Sequence, residues 1–481
     1  MDAKEKTVYE NPLVKRYASK EMLEIFSPRH KFLTWRDLWI QLAQAQHELG
    51  LNVSEEQVED LKNTRDDLDL ERAFELEREI RHDVMAHILA WGEKAKKAGG
   101  IIHLGATSAF VTDNTELLQM KQGLHLLRLK VVKVISVLSE FADKWKNLPC
   151  LGYTHFQPSQ PTTLGKRACL WVQDFLIDHE VLGLASSLLK ARGVKGTTGT
   201  QASYMQLFDG DSERVRELDR RVTKRIGFSE SFPVTGQTYP RKIDYLVLSS
   251  IAGIAASCAK FANDIRLLCH EGELEEPFEE RQVGSSAMAH KRNPMRCERI
   301  VSISRFVLSL PLNAGFTASD QWLERTLDDS ANRRITIPEA FLGADACLGL
   351  VANVGKGLTV FPERIKKNLE KELQFLIAET VIMEGVKQGK DRQKLHEKLR
   401  RITVNAGKAL KEGKNVDVLS KIAEEKYFGV SIQWLRERVK PEYLVGRAPE
   451  QVDDFLNEFV KPLIQRYEAE LKATKEDDVK V

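Results

Sequence analysis

Leu117-Leu-Gln-Met-Lys-Gln-Gly-Leu-His-Leu-Leu-Arg-Leu-Lys-Val-Val-Lys-Val-Ile-Ser-Val-Leu-Ser-Glu-Phe-Ala-Asp-Lys-Trp145 carries two interleaved seven-residue apolar series. One is Leu117, Leu124, Val131, Leu138 and Trp145; the other is Met120, Leu127, Val134 and Phe141. Apolar positions repeating in this way describe one long helix with a continuous seam. At 1.5 Å per residue it reaches about 45 Å. Thr112, Asp113 and Asn114 stand just before it as the expected capping residues.

Working outward, Ile243 to Leu268 reads as a second long helix, with Ala252, Gly253, Ala255, Ala256 and Ala259 allowing close backbone approach. Ile335 to Val354 reads as a third core helix despite Pro338 near its start. Upstream, Glu71 to Ala98 is amphipathic, with Ile80, Val84, Ile88 and Trp91 expected on one face. From about Phe361 the charge density rises and the helices shorten. Three domains follow: an N-terminal helical domain over residues 1–107, a central long-helix bundle over 108–360 and a C-terminal helical domain over 361–481. Alternating βα units are missing, which argues against a Rossmann sheet or a TIM barrel. Gly193, Gly196 and Gly199 form a GxxGxxG with no strand before it, so it reads as a Gly/Thr-rich loop rather than a dinucleotide fingerprint. The fold class is all-α.

The 481 residues fit the same threefold division at about 150 residues per domain. Lys plus Arg is 72 and Asp plus Glu is 70. So balanced a charge argues against a nucleic-acid partner. Six scattered cysteines without a CxxC point to reduced thiols rather than a disulfide framework or a zinc site. The N-terminus lacks an apolar secretory stretch. The longest uncharged run, Tyr245 to Ala259, is 15 residues, short of the ~20 needed to span a bilayer. These features give the expectation of a cytoplasmic protein with no membrane partner.

The chemistry concentrates in Gly284-Ser-Ser-Ala-Met-Ala-His-Lys-Arg-Asn-Pro-Met-Arg-Cys-Glu-Arg299. Asn293 followed by Pro294 reads as a helix start, Asn at the N-cap and Pro at the first helical position. The positive end of that helix, Lys291 and the Asn293 amide converge where an anion can sit. Glu271 to Glu280 holds six carboxylates, followed by the small Gly284-Ser285-Ser286. The whole reads as a lid: an exposed acidic hinge, a flexible tip and a rigid anchor.

That stretch resembles the signature GSSxMPxKxNP of the fumarase/aspartase superfamily, with Ala289 in place of the first proline. Arg81-His82-Asp83-Val84-Met85-Ala86-His87, Gly105-Ala106-Thr107-Ser108, Gly152-Tyr153-Thr154-His155-Phe156-Gln157-Pro158, Thr235-Gly236-Gln237-Thr238-Tyr239 and Lys15-Arg16-Tyr17-Ala18-Ser19 resemble the adenylosuccinate lyase family within it. Thr112 departs from the family pattern, where a glycine is usual. The last 140 residues add no motif.

The resemblance implies a homotetramer with a helical core, active sites shared between subunits, small nucleotide substrates, and no metal or organic cofactor. It implies β-elimination of fumarate from adenylosuccinate to give AMP, and from the succinylaminoimidazole carboxamide ribotide of purine biosynthesis. In these terms Ser285 is the general base and His155 the general acid, oriented by Glu298. A histidine titrating near neutrality suits protonation of a leaving nitrogen. Lys291, Asn293 and the helix start stabilise the doubly charged intermediate. His82 contacts substrate with Arg81 and Asp83, while His87 packs; the two are five apart, the wrong spacing for a metal pair on a helix. Arg16, Tyr17, Arg325, Ser330 and Arg334 hold the phosphate, with Asp329 or Ser330 capping a helix that carries Arg333 and Arg334. Thr107, Ser108, Thr154, Gln237 and Arg299 hold the succinyl or base moiety. Two alternatives remain open on the sequence: another lyase of the superfamily, such as argininosuccinate lyase or fumarase, and a non-catalytic helical protein that retains the fold.

Overall fold

A computed structural model describes residues 8–473. The first seven residues, within the N-terminus read as free of a secretory stretch, lie outside them. The elements that frame the bundle and the site are α1 (Pro28–Glu48), α2 (Leu70–Ile80), α3 (Asp83–Gly92), α4 (Ser108–Lys144), β1 (Pro149–Thr154), β2 (Gln157–Thr163), α5 (Leu164–Ser187), α6 (Lys242–His270), β3 (Leu274–Glu275), α7 (Met295–Ser309), α8 (Pro311–Ser319), α9 (Asp329–Gly357), β4 (Thr359–Val360) and α10 (Pro362–Leu376). The strands form two antiparallel pairs, β1 with β2 and β3 with β4. The fold is otherwise helical, and all-α in class.

The heptad seam forms as its spacing predicts. Leu117, Met120, Leu124, Leu127, Val131, Val134, Leu138 and Phe141 are buried between the long helices. The helix is longer than the seam, however. It starts at Ser108, and Asp113 and Asn114 lie inside it with their side chains buried. They do not cap. Asp113 meets Arg241, and Asn114 bonds the backbone of Gly193. Buried polar side chains in a helix interior need such partners, and these tie α4 to two loops. At 37 residues α4 spans about 55 Å.

The segment 71–98 is not one helix. Arg81 takes a left-handed conformation (φ 58°) and His82 caps the next helix, so α2 ends and α3 begins within two residues. Ile80 is consequently exposed rather than aligned with buried Val84, Ile88 and Trp91.

Four apolar clusters hold the described residues, the smallest being Ala73, Leu76, Ala86 and Ala90 between α2 and α3. One packs α1 and α3 with the start of α4 and residues 194–222. The largest fills the bundle of α4, α5, α6, α7 and α9, and takes in Val452, Leu456, Val460 and Leu463. The fourth lies within residues 377–435. The helices Lys242–His270, Met295–Ser319 and Asp329–Gly357 are, by length and composition, long and apolar enough to cross a membrane, which the uncharged-run count does not reveal. In the bundle 72% of the most apolar window of α9 is covered, but only 33% of that in Met295–Ser319.

Candidate active site

The starts of α4, α6 and α9 meet the α2–α3 break around a cavity of about 1190 Å³. Of the residues singled out from the sequence, Arg81, His82, Asp83, Thr107, Ser108, Gln237, Arg325, Ser330 and Arg334 line it. Local geometry explains their placement. The His82 Nδ1 accepts the Met85 N–H at 3.3 Å, so in the neutral ring the proton sits on Nε2. Asp83 Oδ2 accepts from Arg334 at 3.0 Å, joining α3 to the start of α9. Arg325 donates to Gln237 Oε1 at 2.8 Å, and the Gln237 carbonyl accepts from Arg192.

Behind the cavity runs a buried ionic network. Arg241 bonds Asp113 at 3.0 Å and Asp329 at 2.7 Å. Arg333 bonds Asp244 at 2.7 Å, Glu116 at 2.6 Å and the Tyr239 hydroxyl at 2.5 Å. Burial alone would raise the Asp113 carboxyl, but Arg241 and Arg333 hold it below its ordinary range. Two expectations change here. Neither Asp329 nor Ser330 caps α9 with its side chain, and Asp329 is consumed by Arg241. Arg333 is buried and bound to carboxylates where it meets the cavity wall, while Arg334 is the more exposed α9 cation there.

Arg16, Tyr17 and Arg299 do not line this cavity. The Arg299 guanidinium lies 5.4 Å over the Tyr17 ring. Ser19 is bonded through N–H and hydroxyl to Asp345. Asp345 sits some sixteen residues into α9, about 24 Å past its start.

The remaining predicted residues lie at the far end of the bundle. The β1–β2 hairpin follows directly on the end of α4, so His155 is about one α4 length from Thr107 and Ser108. Thr154 pairs with Gln157, and His155 and Phe156 make the two-residue turn with φ of 51° and 54°. A turn with two positive φ values favours Asn-Gly. Here it carries an imidazole and a half-exposed phenyl ring, at a backbone cost of order 1 kcal/mol or more per residue.

The signature loop leaves the far end of α6. Its acidic hinge is partly buried: Glu273 bonds Asn368, and Glu276 accepts from the N–H groups of Arg296 (2.9 Å) and Cys297 (3.0 Å). The start of α7 is thus already occupied by a carboxylate, so it is not the free anion site expected from Asn293 and Pro294. Nor does Asn293 cap it; its amide donates to the Gly284 carbonyl at 2.8 Å and closes the loop. Ser285 Oγ accepts from the N–H groups of Met288 (3.1 Å) and Ala287 (3.3 Å). Two donors on one hydroxyl oxygen favour negative charge there, which is what a serine base requires. Lys291 and Glu298 are exposed, and among the described residues no hydrogen bond joins Glu298 to His155.

Several lining residues have no sequence motif. Lys31 reaches the cavity from α1, with its pKa lowered by burial against the pull of Glu116. The Gly/Thr run delivers Thr197 and Thr198 to the wall, its three glycines all at positive φ; a Cβ on Gly199 would stand 1.9 Å from the Thr235 carbonyl. Thr112 lines the cavity one turn inside α4, and Trp322 stands exposed on the rim. His87, by contrast, stacks on Phe32 at 3.9 Å in the N-terminal core.

Comparison with known proteins matches residues 16–308 to the family model described as Lyase, and residues 374–455 to the model described as Adenylosuccinate lyase C-terminus. The second match falls in the region of the chain where no motif was legible. The superfamily bundle therefore defines the chain as a lyase. Adenylosuccinate lyase of Saccharomyces cerevisiae is 47% identical over 464 residues, 96% of each chain. That of Schistosoma mansoni is 46% identical over 462 residues, 95% of this chain and 96% of its own. The chain belongs to the adenylosuccinate lyase family. In fold it is similar to a fumarate lyase from Mesorhizobium sp. BNC1, with a TM-score of 0.81 at 22% identity over 94% of this chain and 100% of that one.

Proposed function

We propose that the chain eliminates fumarate from adenylosuccinate to give AMP, and from succinylaminoimidazole carboxamide ribotide, at a site completed by other subunits of a homotetramer. One observation carries the shared site: the cavity holds His82, Arg325 and Arg334, while His155 follows the opposite end of α4, about 55 Å of helix away, and Ser285 and Lys291 follow the opposite end of α6, about 44 Å of helix away. A neighbouring chain running antiparallel would bring its far end to this cavity. Exposed apolar side chains on the bundle helices, among them Leu170 and Leu184 on α5 and Leu312 and Phe316 on α8, provide faces for that association.

In this reading Ser285 removes the carbon-bound proton next to a carboxylate, its oxygen held by two backbone N–H groups. Lys291 supplies the charge that steadies the aci-carboxylate; one such preorganised group is typically worth ~3–4 kcal/mol. Asn293 acts through the loop it closes, and the α7 start contributes no free donor. His155, set by Glu298 of whichever subunit meets it, protonates the leaving nitrogen. Arg325, Ser330 and Arg334 take the phosphate with Arg16 and Tyr17; Thr107, Ser108, Thr154, Gln237 and Arg299 take the remainder. The six cysteines are unpaired, in keeping with a cytoplasmic setting. Purified protein mixed with adenylosuccinate, with AMP and fumarate followed by absorbance, tests the reading; no turnover overturns it.

A further inference from the structure

A second cavity, of about 640 Å³, lies on the other side of the bundle between α4, α5 and the C-terminal helices Ala448–Phe455 and Lys461–Arg466. Two guanidiniums reach it, Arg128 from α4 and Arg466 from the last of these helices. Neither makes an ion pair within 4 Å among the described residues. Among the described residues the one hydrogen bond of Arg128 is to His179, Nη2 to Nε2 at 3.3 Å, and its buried Nε has no hydrogen-bond partner. His179 is buried and also meets the Tyr467 hydroxyl at 3.1 Å. Burial and the two nearby arginines push its pKa down to about 4, so the ring is neutral and offers Arg128 a lone pair but no charge. Glu180 and Glu458 stand exposed on the rim, out of ion-pair reach of either arginine. The inner wall is apolar, with Leu176, Phe455 and Leu463.

A buried guanidinium nitrogen without an acceptor is costly, and such groups are normally satisfied. A concave, largely apolar chamber with a few convergent polar groups is the usual form of a small-molecule site. We infer that this chamber binds a small organic anion, its carboxylate or phosphate received by Arg128 and Arg466 and its apolar body lying against the inner wall. Bound there, the anion clamps the C-terminal helices to α4 and α5. Neither arginine has a place in the elimination machinery, so the site is separate from the reaction and the inference does not depend on it.

Inorganic phosphate, AMP and fumarate are the probes, with the thermal midpoint of the full chain as the readout, since a ligand bound to the native state raises it. The titrations are run on wild type and on Arg334→Ala, which weakens anion binding in the elimination cavity. At least one probe should raise the midpoint in both proteins. A response to phosphate and AMP identifies a phosphate ligand; a response to fumarate alone identifies a dicarboxylate. Arg466→Gln, at an exposed position that does not threaten folding, should raise the half-saturating concentration about tenfold, the loss of one charge-assisted contact. Turnover without added anion should be unchanged. Arg128→Gln should act in the same direction. A midpoint rise that vanishes in Arg334→Ala, or that Arg466→Gln leaves unaltered, overturns the site.

Discussion

At the cavity end of the bundle, polar side chains are buried and paired; at the far end they are exposed and bonded mainly to their own loop. Arg241, Asp113, Asp329, Arg333 and Asp244 form a closed network under the cavity floor. Ser285 and Asn293 make contacts within the signature loop, while His155 sits on a hairpin tip and Lys291 is exposed. The first end is built to bind without rearrangement. The second, in the proposed assembly, presents reacting groups to a partner surface. On the proposed reading, the difference teaches that one chain can hold much of a binding wall rigid while another supplies the chemistry it serves.

Breaking the rigid end should have the largest effect. Asp329→Ala leaves Arg241 with a single carboxylate in the interior, and breaking such a buried pair costs about 3–5 kcal/mol. Chemical denaturation should show this loss of stability. Breaking the exposed end should spare the fold: His155→Ala is expected to lower kcat at least ~100-fold with unchanged helical circular dichroism. The contrast sharpens on mixing. Reassembled hybrids of His155→Ala with Arg334→Ala should be more active than either variant alone, because one composite site then escapes both lesions. Hybrids as inactive as their parents would place both groups in a single-chain site.

Arg16→Ala should raise KM about tenfold with the fold intact, and an unchanged KM removes it from the site. Glu276→Gln weakens a charged cap on α7 and should cost about 1 kcal/mol, read as a lower denaturation midpoint. The smallest effect near neutral pH is acid sensitivity. Burial first, with Arg36 nearby, holds His87 at about 4 against an ordinary 6.5. Between those values the unfolded chain binds the extra proton, so stability falls as pH drops from about 6.5 towards 4. His87→Phe retains the stack on Phe32 and should flatten some of that slope, with His103 and His179, also held at about 4, maintaining the rest.

Much of this fold is legible in the seam. Periodic burial repeats along a helix, so Leu117 to Phe141 announce themselves. What interrupts periodicity does not: Arg81 in a left-handed bend and the His155-Phe156 turn lack the glycine or asparagine that usually marks such places. The candidate site is readable in many of its residues but not in their partners. Glu276 filling the α7 start, and Asp329 claimed by Arg241, depend on residues 20 and 88 positions away, and no local pattern records a partner so distant. Lys31 belongs to the same class, an unmarked residue on an N-terminal helix that the fold carries to the cavity.

The length of α4 has a consequence of its own. An inserted heptad would preserve every apolar contact stripe, yet displace the hairpin by about 10 Å relative to the cavity of an assembled neighbour. In the proposed assembly such a protein would fold and associate with its imidazole out of register. The number of turns in this helix is therefore constrained as tightly as the identity of the histidine beyond its end.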